Sequence, residues 1–275
     1  MPHLIIEAGR SEAHYWCDIY RYKDLFFFLA WRDLLVRYKQ TVVGVLWAVL
    51  RPLLTMLIFV AIFSRVAGLH SKDMPYSILV LSGMLPWQFF ATALSESSSS
   101  LITNANLITK IYFPRIILPA SSVIVALVDF LITLCLLAAV MLWCQFLPSW
   151  RIIFLPVFIL LALVAALGPG LMITALNVQY RDFRYIIPFV VQFGLYISPV
   201  GFSSAVVGEK FGALAHVLYS LNPMVGVIDG FRWCLGDGTS FDGGTFTVSV
   251  VISLVFLATG IRYFRKTEKS FADII

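Results

Sequence analysis

The stretch Trp31–Phe63, WRDLLVRYKQTVVGVLWAVLRPLLTMLIFVAIF, carries a basic approach straight into a long apolar run with no linker between them. A short basic helix that feeds a membrane span determines on which side of the bilayer the chain starts. Arg51-Pro52 breaks the apolar run at its middle. A charge at that depth is costly in lipid and marks a span that crosses the bilayer for a purpose.

Composition extends the argument to the whole chain. Of 275 residues, 60% are hydrophobic and 13% charged, and the mean hydropathy is +0.90. A soluble domain of this length still needs a polar shell and cannot hide so much apolar surface. The expected fold class is an all-α polytopic membrane protein, with no room for a folded soluble domain. The net charge of +5 does not point to nucleic acid. The charges cluster at the ends of apolar runs, where basic residues meet headgroups and set orientation. Cys17, Cys135, Cys144 and Cys234 are scattered, with no C-x-x-C, so they read as small apolar fillers rather than metal ligands or disulfides. No cleavable signal peptide is expected, because Leu25–Trp31 is too short an apolar run and no small-residue cleavage site follows.

A span needs about 20 apolar residues, and six candidates satisfy or approach this. They are Thr41–Phe63, Tyr76–Leu101, Ile116–Trp143, Ile152–Leu176, the short Ile186–Phe202 with Pro188 and Pro199, and Phe246–Phe264. An even number puts both termini on one side. Of the 20 Lys and Arg residues, 14 fall on the termini and on the loops after spans two and four. Five fall on the opposite side and Arg51 lies within span one. The positive-inside rule then places both termini in the cytoplasm.

Ser203–Thr245 is the long loop on the outer side. Its apolar pieces, Phe211–Tyr219 and Met224–Leu235, are too short to span and are separated by Asn222-Pro223. They read either as two half-helices dipping back toward the membrane or as an amphipathic pair lying on the outer surface.

No G-x-x-x-x-G-K-[ST] loop occurs, so the chain has no phosphate cradle of its own. H-E-x-x-H, G-x-S-x-G and G-x-G-x-x-G are absent as well, and His3, His14, His70 and His216 lie apart. The expectation is a protein that is not an enzyme, holds no cofactor and draws its energy from elsewhere. Two cytoplasmic connections look structured. Asn104–Arg115, NANLITKIYFPR, reads as a helical turn or two with a Pro stop. Asn177–Ile187, NVQYRDFRYII, sets Tyr180, Phe183 and Tyr185 among charges. Both fit a protein interface, and both also fit anchors at the lipid headgroups.

Five segments stand in order along the chain: WRDLLVRYKQTVVGVLWAVLRPLL, LPWQFF, NANLITKIYFPRIILP, LNVQYRDFRYIIPF and LNPMVGVIDGFRW. Together, from about Asp18 to Phe264, they resemble the membrane subunit of ABC-2-type polysaccharide exporters, closest to the O-antigen type and related to those for capsule and teichoic acid. Each motif alone is weak, whereas five in order at matching spacing are specific. The resemblance implies a homodimer of six-span subunits in the bacterial inner membrane. Each subunit would dock one copy of a separate ABC ATPase, which binds the ATP and Mg, and the cargo would be a polysaccharide on undecaprenyl diphosphate. It implies three parts: a cytoplasmic segment 1–40 with an amphipathic interface helix, a transmembrane domain 41–264, and a cytoplasmic tail 265–275.

The resemblance also implies roles for particular residues. Leu25–Lys39 matches the interface helix, with Arg32 and Arg37 as coupling candidates. Asn104–Pro114 matches the coupling helix, with Asn106, Lys110 and Tyr112. Asn177–Arg184 matches a second contact, with Arg181, Asp182 and Arg184. Phe211–Leu235, within the outer segment 203–245, matches the short helices of an outer gate, with Phe211, Tyr219, Asn222, Pro223, Phe231 and Trp233 as candidates. At the position of Arg51 the family is often uncharged, commonly Gln, which puts any inherited role for Arg51 in doubt.

Arg51, Glu96 and Asp129 fall within the expected spans. Arg51 is about 15 Å and Asp129 about 20 Å from the cytoplasmic ends of their spans, so an Arg51–Asp129 pair is the expected arrangement. Glu96, in SESSSS, is expected to be solvated by Ser side chains and water. The competing reading is that these charges line the path of a hydroxyl-rich polymer. Phe189, Phe193 and Tyr196 share one helical face of span five. With Trp47, Arg51 and Trp87 they form the candidate channel lining, since aromatic faces stack on sugars. A lipid-facing or core stripe is the structural alternative. Three other functions remain open: an ABC-2 exporter of a small molecule or drug, a membrane enzyme acting on lipid-linked sugars, and an ion-coupled transporter using Asp129 and Glu96.

Overall fold

The structure, a computed structural model, describes residues 15–39, 44–66, 74–180, 182–236 and 241–271, excepting the side chains of 44, 45, 64–66 and 213. Every regular element among the described residues is helical. Two helices, α1 (Tyr15–Arg21) and α2 (Lys23–Lys39), run almost without a break, because Tyr22 and Phe26 continue the backbone ladder across the junction. The next helix, α3 (Gly44–Phe59), ends in a π-helical turn, Val60–Val66. The first residues of the expected span one, including Thr41, lie outside the described residues.

Four long apolar helices follow the expected spans closely. They are α4 (Tyr76–Thr103), α6 (Ile117–Trp143), α7 (Leu155–Gln179) and α12 (Gly243–Thr267). Between α4 and α6, α5 (Ala105–Lys110) forms the predicted short helix before Pro114. A 3-10 turn, Trp150–Phe154, leads into α7. With α3 and its π-helical turn, these four make five helices among the described residues that are long and apolar enough to cross a membrane. The expected fifth span becomes α8 (Phe183–Ile197), 15 residues long and about 22 Å from end to end at 1.5 Å per residue.

Helix α4 is the central pillar. Of its apolar window, 72% is buried inside the bundle, against 11% for α3 and 22% for α12. A helix hydrophobic on all sides packs in the interior of a bundle. Around it α6, α7 and a later helix, α11 (Pro223–Leu235), join it to bring Ile78, Leu81, Met84, Phe130, Ala165 and Phe231 into one apolar core. Polar groups fasten the inner helices. Thr174 Oγ1 donates to the Ser97 carbonyl at 2.8 Å, and Asn177 Nδ2 donates to the Ser98 carbonyl at 2.8 Å. These bonds bring the C-terminal ends of α4 and α7 to the same end of the bundle.

The outer segment differs from its reading in one respect. Phe211 closes α9 (Ala205–Phe211) instead of opening a helix with Tyr219. Gly212, at φ +88°, then turns the chain into α10 (Ala213–Tyr219). That left-handed conformation costs glycine little and other residues more, so it ends the apolar piece where hydrophobicity alone continues it. The break at Asn222-Pro223 does start a helix, α11 (Pro223–Leu235), with the Asn222 side chain accepting from Met224 N–H at 3.0 Å. This is an N-cap with Pro at the first helical position.

Both described termini meet at one end. The Tyr15 hydroxyl donates to Glu268 Oε2 at 2.8 Å, and the Arg115 N–H donates to Glu268 Oε1 at 2.7 Å. A second apolar cluster seals this end and joins Leu29 of α2, Ile108 of α5, Phe113, Leu171 of α7, and Phe264 and Phe271. For α12 to arrive here from the far end, the chain must cross back between Gln179 and Gly243. Helix α8 makes that crossing, since Tyr76, Asn222 and Arg232 bond the segment just after it at the far end.

Candidate functional site

Three expected coupling elements gather at the end where the termini meet. Helix α2 lies along it, with Leu29 and Ala30 buried and Phe27, Phe28, Trp31 and Val36 exposed. Arg32 Nη2 donates to Asn104 Oδ1 at 3.0 Å and so ties α2 to the junction between α4 and α5. Beyond that junction Asn106, Lys110 and Tyr112 face outward, Tyr112 being 61% exposed. Asp182 and Arg184 are exposed at the start of α8, while Arg181 lies outside the described residues. The tail is held in place here too. Arg265 stacks over the Tyr15 ring, 4.6 Å from its centroid. Burial, and then the Glu268 charge and hydrogen bond, push the Tyr15 hydroxyl well above its usual range, so it remains a donor at physiological pH.

Arg37 is the exception among the coupling candidates, because it points inward. Its guanidinium bonds both Glu96 of α4 and Asp129 of α6, and the Tyr38 hydroxyl bonds Asp129 as well. Burial lowers the guanidinium pKa, but the charges of Glu96 and Asp129 outweigh burial and leave it raised. Burial and the hydrogen bond to Asp129 raise that of Tyr38. This arrangement corrects two expectations. Asp129 is partnered by Arg37 and Tyr38, not by Arg51, and Glu96 is partnered by Arg37 instead of being left to Ser side chains and water. Depth within spans one and three favours Arg51 as the partner of Asp129, but α2 folds back alongside both carboxylates and brings Arg37 to them.

Arg51 makes no ion pair among the described residues and lines a cavity of about 710 Å³ between α2, α3, α4 and α6. Trp47, Gln88, Thr92 and Thr133 line the same cavity, together with Arg37, Glu96 and Asp129. Polar and charged side chains thus share the lining with apolar Leu85, Phe89 and Phe130. A guanidinium and hydroxyls beside aromatic faces can bind hydroxyl-rich or anionic groups.

The other channel candidates separate into two groups. Trp87 is buried in the core and packs on α8, where a Cβ at Gly194 would overlap its indole. Phe189, Phe193 and Tyr196 form an exposed stripe along α8, with the first two rings 4.2 Å apart. The predicted shared face therefore exists and is free of other helices among the described residues.

At the far end the gate candidates are unequal. Phe211 is exposed, whereas Phe231 is fully buried against Phe130. Pro223 is also buried. Asn222 donates from Nδ2 to Ser198 Oγ at 2.9 Å. Trp233 is half-buried and stacks with Phe154, Phe241 and the Arg151 guanidinium. Tyr219 is half-buried, and its hydroxyl is buried with no hydrogen-bond partner among the described residues.

The residue that sequence reasoning passed over is Arg232. Its place in the outer segment makes it read as a loop charge, yet it is 4% exposed. Its guanidinium donates to the carbonyls of Phe202 at 2.8 Å, Val200 at 3.0 Å and Leu79 at 3.2 Å. It thereby fastens the non-helical stretch after α8 to α4 and α11. A signal was present, since Arg232 falls in step with Val225, Ile228 and Leu235 on the apolar face of α11.

Comparison with known proteins bears on the whole of this arrangement. The ABC-2 type transporter family matches residues 24–235. The chain is 27% identical over 259 residues to an O-antigen export system permease protein, RfbA, of Myxococcus xanthus, covering 94% of this chain and 98% of that protein. It is 27% identical over 253 residues to RfbA of Klebsiella pneumoniae, covering 92% and 95%. To the polysialic acid transport protein KpsM of Escherichia coli it is 22% identical over 244 residues, covering 87% and 92%.

Proposed function

The chain belongs to the ABC-2 type transporter family, and from that membership we propose that it is the permease subunit of an ATP-driven exporter of polysaccharide, of the O-antigen kind. It is not itself an enzyme. ATP and Mg bind to a separate ABC ATPase, two copies of which serve a homodimer of this chain. The cargo is a polysaccharide carried on undecaprenyl diphosphate, moved across the bacterial inner membrane.

The observation that carries this reading is the gathering of α2, α5 and the Asp182–Arg184 turn at one end of a long-helix bundle. Each presents exposed aromatic or charged side chains there, the composition that interfaces favour. RfbA relatives matched over nearly their full length supply the cargo class. On this reading α2 lies in the cytoplasmic segment 1–40, residues 41–264 form the transmembrane domain and 265–275 a cytoplasmic tail. Six spans, with α8 as the short fifth, agree with the return of α12 to the end where the chain began. The Lys and Arg bias assigns that end to the cytoplasm. ATP-driven closure of the motor moves α2, α5 and the start of α8 as rigid pieces. The exposed α8 stripe and Trp47 offer stacking surfaces to sugar rings, and α9 to α11 close the outer exit.

The test is reconstitution of the chain with its ABC ATPase in vesicles holding a lipid-linked polysaccharide on the ATPase side. ATP-dependent appearance of polymer on the other side is the expected result. Transport of polymer without ATP, or ATP-driven transport of small molecules alone, overturns the reading.

A further inference from the structure

We propose that Arg37 is a positioning residue for transport, a single guanidinium that makes α4 and α6 move with α2. The inference rests on the reading of α2 as the element that faces the motor.

Helix α2 is joined by the chain to α3 and has no covalent neighbour in α4 or α6. Its apolar hold on the bundle comes from Leu25, Phe26 and Leu29 in the end cluster. Apolar contact is non-directional, so it permits sliding. The polar ties are directional. Arg32 bonds Asn104 at the end of α4, and Arg37 bonds Glu96, which lies eight residues and about 12 Å deeper along the same helix. Two fixed points on α4 and a third on α6, through Asp129, leave α2 no freedom to shift along either helix.

The chemistry suits this role. Arg offers a planar fork that can satisfy two carboxylates at once, whereas a Lys ammonium is a point charge. Glu96 and Asp129 converge on one cation, and without it two like charges face each other across α4 and α6. The three side chains are partly accessible, at 27%, 38% and 23%. Replacing a half-buried ion-pair cluster as a whole by neutral groups is often close to neutral for stability, whereas removing one partner is costly, which leaves geometry as the main effect of the intact cluster.

The experiment compares the unmodified chain, Arg37→Lys and the neutral triple variant R37Q/E96Q/D129N, each expressed with the ABC ATPase. The triple removes the fork without leaving a buried charge unpaired. It is expected to accumulate and bind the ATPase as the unmodified chain does, while polymer exported per ATP falls about tenfold. Arg37→Lys is expected to fall between the two. Unchanged export per ATP in the triple overturns the proposal, as does an Arg37→Lys chain that exports normally. Failure of the triple to accumulate overturns it too, because the cluster is then a folding element. If the unmodified chain neither binds the ATPase nor exports with it, the reading of α2 fails instead, before any variant is compared.

Discussion

The carbonyl oxygen of Gly168 in α7 occupies the space where a Cβ on Gly260 of α12 would stand. In the reverse direction, a Cβ on Gly168 would lie 2.5 Å from the Leu257 backbone nitrogen. The two helices therefore touch backbone to backbone, and small residues are what allow such approach in membrane bundles. Gly260→Ala is expected to push α12 off α7 and cost about 1–3 kcal/mol, as overpacking does. Thermal unfolding in detergent checks this, and an unchanged midpoint counts against the close contact. Gly260→Leu is expected to prevent accumulation in the membrane.

Arg232 makes the next prediction. Its removal takes the guanidinium donor from the Phe202 and Val200 carbonyls and leaves Asp229, 3.9 Å away, without its cation, while the Leu79 carbonyl keeps the Ser82 hydroxyl. Arg232→Met is expected to destabilise the far end by about 3–5 kcal/mol, the range for breaking a buried charge pair. Limited proteolysis reads this directly, through faster cleavage around α9 and α10.

Asp242 caps α12, accepting from Gly244 N–H at 2.9 Å and from the Thr245 hydroxyl at 2.6 Å. The Thr245 hydrogen bond holds its carboxyl below the ordinary Asp range, against the smaller opposing pull of burial. A depressed folded-state pKa means that its contribution is complete above the ordinary Asp value and fades as pH falls through the depressed one. The melting midpoint is expected to decline across that acidic window. Asp242→Asn keeps the cap and removes this part of the decline, while Asp242→Ala costs about 1 kcal/mol at neutral pH.

Arg51 lines the cavity, exposed and with no ion pair among the described residues. Arg51→Gln is accordingly expected to leave stability within about 0.5 kcal/mol and to reduce export. Normal export at normal protein levels removes Arg51 from the transport path.

The aromatic stripe on α8 is tested by Phe193→Ala with Tyr196→Ala. Both side chains are more than half exposed, so their truncation removes little packing. Reduced polymer export with intact ATP hydrolysis is the expected result, and full export from the double variant discards the stacking role.

The sequence by itself determined the elements. Apolar length placed α3, α4, α6, α7 and α12 to within a few residues, because a bilayer-length helix has few other ways to satisfy its backbone. Proline and asparagine marked the break before α11 and the stop after α5, because those signals act within a turn or two of backbone. Their order also carried the family resemblance.

Partnership was decided only by the tertiary structure. Depth along a span paired Arg51 with Asp129, yet Arg37 takes that carboxylate together with Glu96, because α2 turns back beside α4 and α6. Arg232 looked like a loop charge until α11 was folded into the core. Gly168 and Gly260 are 92 residues apart in the chain, and nothing local to either announces that their backbones meet. The basic approach at Trp31–Lys39 shows the same division. Local charge and hydrophobicity identify it as an orienting helix, but which residues face lipid, motor or core follows from the neighbours that the fold supplies.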